Sequence, residues 1–138
     1  AVVLTTRETA EARRLTPVAR VVSFGSHAHD PRWFTTAPVQ AARNALDAAG
    51  WSTTDVDLWE INEAFAVVPL AFMRELDLAH DMVNVRGGAI ALGHPIGCSG
   101  ARIVVTLLAS LVERRLRRGV AAICIGGGEG LAMCVERL

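Results

Sequence analysis

The sequence predicts an α/β layered domain, and three observations carry that expectation. Short apolar runs rich in branched residues alternate with segments of helical periodicity, glycine and proline punctuate the junctions, and 51% of the 138 residues are hydrophobic. That content suits one globular domain with a sizeable buried core. The element order reads β-α-β-α-β-α-α-β-β, which implies a mostly parallel sheet with one antiparallel strand at its end.

Residues 1–4 read as the first strand, with nothing ahead of it, as though the chain were cut from something longer. Thr5 and Glu8 have capping-box spacing, so residues 9–15 form a short helix that Pro17 closes. Residues 19–24 suit a strand, and the small and polar residues 25–38 a surface loop. Pro38 opens a helix to Ala49, and Gly50 takes the left-handed position just past its end. Residues 57–61 form the next strand. Over residues 63–78, Ala66, Val67, Leu70, Phe72 and Met73 recur three and four apart, which predicts a half-buried helix. Ile103, Val104, Leu107, Leu108 and Leu111 make residues 99–117 the longest helix. Residues 120–125 and 131–135 are apolar strands joined by glycines, as in a hairpin.

Charge excludes more than it selects. The formal net charge is zero and all fourteen basic residues are arginine, which leaves no electrostatic footprint for nucleic acid. The run Arg114, Arg115, Arg117, Arg118 is placed at a helix C-terminus, complementing the dipole. No apolar stretch approaches the ~20 residues that span a bilayer. Three scattered cysteines argue against a disulfide framework and for the cytoplasm.

Three polar groups stand where elements meet. Asn62 follows the third strand in Trp59-Glu60-Ile61-Asn62-Glu63-Ala64-Phe65-Ala66. His94 precedes the long helix in Gly93-His94-Pro95-Ile96-Gly97-Cys98-Ser99-Gly100, and Cys124 ends a strand before Gly126, Gly127 and Gly128. Function gathers at strand carboxyl ends in such folds, so the three can share one edge. A thiol is a useful acid or base near neutral pH only when its surroundings tune it, and imidazole is the natural partner. Nucleotide motifs fail: a Walker loop needs lysine, and the dinucleotide fingerprint meets Leu131 where it needs glycine. His27, His29 and Asp30 form a polar loop with no second ligand cluster, so no metal site is assigned. Ser99 lacks a nucleophile-elbow pattern and suits a helix N-terminus.

Taken together, Asn62-Glu63-Ala64-Phe65-Ala66, Gly87-Gly88-Ala89-Ile90-Ala91-Leu92-Gly93-His94-Pro95-Ile96-Gly97 and Cys124-Ile125-Gly126-Gly127-Gly128 resemble the thiolases, in their order and spacing. The resemblance covers residues 1–138 and corresponds to the family's C-terminal domain alone. It implies a five-stranded mixed sheet in an α-β-α arrangement of β-α-β-α-β-α-β-β order. It also implies acyl transfer between CoA thioesters, by Claisen condensation or thiolysis of 3-ketoacyl-CoA, in fatty-acid metabolism. No cofactor beyond the CoA substrates is implied. The partners implied are acyl-CoA and CoA, the N-terminal thiolase domain, and further copies in a homo-oligomer.

By the same resemblance, His94 would activate a nucleophilic cysteine of the N-terminal domain and donate to the thioester oxygen. Cys124 would move the proton at the acetyl methyl carbon. Asn62 would hold a water that completes one oxyanion hole with His94, and the Gly126 N–H would help build another. Ala64 and Phe65 would lie against the pantetheine chain. Cys98 stands where the family usually has alanine, Glu129 where it has methionine or glutamine, and Thr36-Ala37-Pro38 lacks a common glycine. Alone, such a chain is expected not to turn over. Two alternatives remain open at this point: a non-catalytic thiolase-like scaffold or dimerisation module, and a β-ketoacyl synthase relative. The latter family uses histidine or asparagine at the place of Cys124.

Overall fold

A computed structural model describes all 138 residues. The chain forms α1 (Arg7–Ala12), β1 (Ala19–Ala28), α2 (Ala37–Ala49), β2 (Leu58–Ile61), α3 (Val67–Leu76), α4 (Ala89–Leu92), α5 (Ile96–Glu113), β3 (Arg118–Ile125) and β4 (Glu129–Arg137). The four strands make one sheet in the order β1-β4-β3-β2. β2 and β3 pair in parallel, while β4 lies antiparallel to both β1 and β3. The sheet is mixed, as expected, with β1, β2 and β3 running one way and β4 alone opposing them, but β4 lies inside the sheet and not at its edge. The hairpin β3–β4 inserts its return strand between β3 and β1, and that single insertion converts two of three pairings.

The fifth strand is also corrected. Residues 1–4 pair with nothing, and Val3 and Leu4 are almost fully exposed. A fifth position beside β2 exists, but it is reduced to one parallel bridge between Trp59 and Val83. Asn84 explains the truncation. Its backbone turns left-handed (φ 49°), and its side-chain amide takes over the pairing: Ile61 N–H donates to Oδ1 at 2.7 Å and Nδ2 donates to the Ile61 carbonyl at 2.9 Å. Asparagine tolerates that conformation better than most residues.

Helices cover both faces. On one, α2 and α3 bury Ala41, Ala45, Leu46, Val68 and Phe72 against Trp59, Ile61, Val120 and Cys134. Trp59 and Phe72 meet edge to face with ring centroids 5.6 Å apart. On the other, Ile103, Leu107 and Leu111 of α5 pack on Leu58, Ala121 and Val135. By length and composition alone α5, 18 residues with mean hydropathy 1.6, meets the requirement for a membrane span, contrary to the expectation. Its apolar stripe packs on the sheet, and Arg102 in mid-helix pairs with Glu60.

Several boundaries move for identifiable reasons. Thr6, not Thr5, caps α1, accepting from the Thr9 N–H. β1 runs on to Ala28 because residues 25–28, read as loop, pair in register with 129–132 of β4. The rest of that expected loop contains a 3-10 turn, Pro31–Thr36. Gly50 closes α2 in the left-handed conformation as expected (φ 68°). α3 begins four residues late, because Glu63 is drawn away from the helix axis into the loop described below. α5 ends at Glu113, where Arg115 (φ 57°) makes the left-handed closure usually given to glycine, and the Leu116 N–H reaches the Leu111 carbonyl. The arginine run thus falls beyond the last helical turn. Arg117 and Arg118 instead flank the buried carboxylate of Glu136, and Arg118 also faces Asp55 and the Trp51 ring.

Candidate active site

Asn62 leaves the end of β2 fully buried, its N–H held by the Ala122 carbonyl of β3 at 2.9 Å. Its amide Nδ2 lies 3.4 Å from Nε2 of His94, and His94 Nδ1 lies 2.6 Å from the Ser99 hydroxyl. Ser99 is buried in the first turn of α5, and its Oγ is 3.2 Å from the Pro95 carbonyl. A hydroxyl has one proton to give. With that proton directed to Pro95, Nδ1–H of His94 donates to Ser99, and Nε2 carries the lone pair that accepts from Asn62. The arrangement fixes the ring plane and leaves Nε2, the outer nitrogen, as the base. Pro95 starts α5 and aims its first turn at this point.

The loop carrying His94 is held from below. The Glu63 carboxylate accepts from Asn84 Nδ2 at 2.9 Å and from the Ile90 N–H at 3.1 Å, so one acid ties the residue after Asn62 to the start of α4. Gly88 leaves room for that carboxylate, since a Cβ at this position would run into it and oblige it to move. Sequence reasoning missed Ser99, Glu63 and Asn84 as parts of the site. The signal available for Ser99 was its five-residue offset from His94 across a helix start. Asn84 offered none, since its role depends on a single left-handed residue.

Cys124 sits at the end of β3 and is buried. Burial pushes its thiol above the ordinary range, only partly opposed by a hydrogen bond from its own backbone. The resting form is therefore the protonated thiol, in contrast to the lowered pKa that reactive cysteines need. Glu129 is exposed and contributes nothing to that shift. The polar partners of the His94 ring are Asn62 and Ser99, and no hydrogen bond joins it to Cys124. Alternation along β3 turns Cys124 toward the α2–α3 side, with Val120 and Ala122. Gly126 follows in an open turn where a Cβ would meet nothing, and its N–H donates to no backbone acceptor. That donor is free for an incoming oxygen.

Ala64 packs at the edge of the core, whereas Phe65 is 58% exposed and touches Phe34 edge to face at 6.1 Å. Cys98 is exposed beside the site, and Cys134 is buried in the core. His29 turns its Nε2 to the Trp33 carbonyl at 2.7 Å, and His27 meets its ring edge on.

Comparison with known proteins gives this constellation a context. The chain is 53% identical to cytosolic acetyl-CoA acetyltransferase of Rattus norvegicus and 49% identical to acetyl-CoA acetyltransferase of Paracoccus denitrificans. Each alignment covers 99% of the chain, and 34% and 35% of those relatives. The crystal structure of acetyl-CoA acetyltransferase from Bacillus anthracis superimposes with a TM-score of 0.93 at 46% identity, over 96% of this chain and 34% of that one. The chain thus spans about a third of the length of the relatives it matches. The family model for the C-terminal domain of thiolase matches residues 15–137, and the chain belongs to the thiolase family.

Proposed function

We propose that this chain supplies the proton-transfer and oxyanion-binding half of an acyl-transfer site acting on acetyl-CoA and 3-ketoacyl-CoA thioesters. The observation that carries the reading is the Asn62–His94–Ser99 chain at the junction of β2 and α5, with the Gly126 donor at the end of β3. The acyl acceptor is a thiol from the remaining length that the relatives possess. His94 Nε2, unprotonated at rest, takes the proton of that thiol. The imidazolium then holds N–H bonds on both sides, one to Ser99 and one available to a developing oxyanion.

In the condensing direction, the Cys124 thiolate removes a proton from the methyl carbon of acetyl-CoA. The resulting enolate attacks the acyl carbon of the acyl-enzyme, and the enzyme thiolate leaves. In thiolysis, Cys124 protonates the departing enolate carbon, returning a thiolate. Raising the thiol pKa suits this second role directly and makes the thiolate, once formed, a stronger base. Phe65 and Ala64 line the approach of the pantetheine chain. No cofactor beyond the CoA substrates is required, and we place the activity in the cytoplasm, in keeping with the cytosolic rat relative.

The apolar sheet surface beside α5 is the proposed seat of the remaining polypeptide. Phe24, Ile125 and Leu131 are 77%, 42% and 46% exposed there. The test is acetoacetyl-CoA thiolysis by the full-length protein. His94→Ala and Cys124→Ala are each expected to lose roughly a hundredfold or more in kcat, in the range that general acid–base groups supply. Native turnover in either variant would refute the assignment. The 138-residue chain by itself is expected to be inactive, and activity there would point to Cys98 as an overlooked nucleophile.

A further inference from the structure

Glu60 and Arg102 form an ion pair that the acyl-transfer chemistry does not use. Arg102 Nη1 lies 3.0 Å from Glu60 Oε1, and the carboxylate side chain is 2% exposed. Removing both charges from water largely cancels their attraction, so a buried pair is a poor source of net stability. Here the balance is worse than usual, because Arg102 Nη2 is buried with no partner. Leu58, two residues earlier on β2, already fastens the strand to Ile103, Leu107 and Leu111 by apolar contact.

The position of the pair suggests what it does. Alternation along β2 puts Leu58, Glu60 and Asn62 on one face, and Ser99 and Arg102 lie three apart on one face of α5. Strand and helix therefore cross-link at two consecutive levels. Glu60 meets Arg102 at the first, and Asn62 meets the Ser99-held ring of His94 at the second. The Asn62–His94 contact is already long at 3.4 Å. Asn62 has no other side-chain bond to hold it, since its Oδ1 is unpartnered. A sub-ångström slide of α5 along β2 would break it.

We propose that the Glu60–Arg102 pair is a positioning element for the His94–Asn62 site, setting the register of α5 against β2. The inference rests on the acyl-transfer reading of His94 and Asn62. Burial raises the Glu60 carboxyl to about 7, ahead of the opposing pull of Arg102. The other charges facing it are Glu63, which raises it further, and Arg86, which lowers it. The carboxylate that anchors Arg102 is accordingly present above that pH and lost below it.

In the full-length protein, Glu60→Gln is expected to lower kcat for acetoacetyl-CoA thiolysis about tenfold with KM within about twofold, the pattern of a displaced catalytic group. It should also remove the Glu60 contribution to the kcat–pH profile near neutrality. Arg102→Lys keeps the charge and is expected to retain kcat within about threefold of the unaltered protein. The 15N imidazole resonances of His94 should shift in Glu60→Gln, as Nε2 loses the Asn62 donor. Unchanged kcat, pH profile and imidazole shifts in Glu60→Gln would overturn the proposal. Should that variant fail to fold, Arg102→Met, which removes the pair from the helix side, decides: native kcat with an unmoved pH profile and unmoved His94 resonances overturns it. His94→Ala, run in parallel, separates the two claims. If it abolishes turnover while Glu60→Gln behaves as native, only the positioning role falls.

Discussion

The two faces of the sheet are built differently. Beneath α2 and α3, seventeen buried residues form one continuous core in which Trp59, Ile61, Val68 and Phe72 are almost wholly enclosed. Beneath α5 the buried cluster has six residues and reaches from Leu58 of β2 only as far as Val135 of β4, which leaves the β1 edge of that face, with Phe24 and Leu131, bare. Polar groups follow the same division. The α5 face carries Glu60, Arg102, Asn62 and Ser99, while the other face is almost entirely apolar. The first face therefore provides the free energy that holds the domain together. The second carries the Asn62–His94–Ser99 chain and offers an apolar surface to another body.

The largest stability effect should come from the enclosed face. Phe72→Ala removes a fully buried ring that meets Trp59 edge to face, and is expected to cost about 3–5 kcal/mol in denaturant unfolding of the intact protein. A loss under about 1 kcal/mol would mean that this core can collapse around the cavity, and the contrast between faces would weaken.

Function, in contrast, should be sensitive on the thinly packed face. Ser99→Ala leaves the apolar stripe of α5 intact but frees the His94 ring, so stability should change by less than about 1 kcal/mol while kcat for thiolysis falls roughly tenfold or more. The sharper check is the ring itself. Loss of the Nδ1–H···Oγ bond removes the partner that fixes the tautomer, so the 15N imidazole resonances of His94 should shift in Ser99→Ala. Unmoved resonances with native kcat would show that Ser99 serves only the helix start.

What was legible in the sequence divides along similar lines. The helix closed by Gly50 and the hairpin around Gly126 to Gly128 follow from local chemistry, and the structure reproduces both. Asn62, His94 and Cys124 stand out in the sequence as polar groups at element junctions set against apolar runs, and the structure brings Asn62 and His94 together. The order of strands was not legible, because it depends on where the β4 return strand inserts. The fifth strand was placed at residues 1–4, whose apolar pattern is strong, rather than at Val83, where one left-handed asparagine substitutes its side chain for a ladder. Glu63 looked like a helix residue because the periodicity of residues 63–78 runs through it. Only the fold brings its carboxylate to the Ile90 N–H. Supporting groups of this kind are defined by partners more than twenty residues away, which no local pattern encodes.

The smallest expected effect is the one that separates the faces most cleanly. Phe24 lies opposite Met133 on the bare side of the sheet and is 77% exposed, so Phe24→Ser removes little buried area within this domain. In the 138-residue chain the change should shift unfolding free energy by no more than about 0.5 kcal/mol. In the full-length protein the same change should cost more, on the order of 1–2 kcal/mol, because a ring buried under the rest of the polypeptide would lose its transfer free energy there. The quantity to measure is the difference between the two. A cost that is equally small in both contexts would leave this apolar surface uncovered in the intact protein, and the docking role assigned to it would fall. A large cost in the short chain would instead mean that the bare side already contributes to the core, and the asymmetry between faces would disappear.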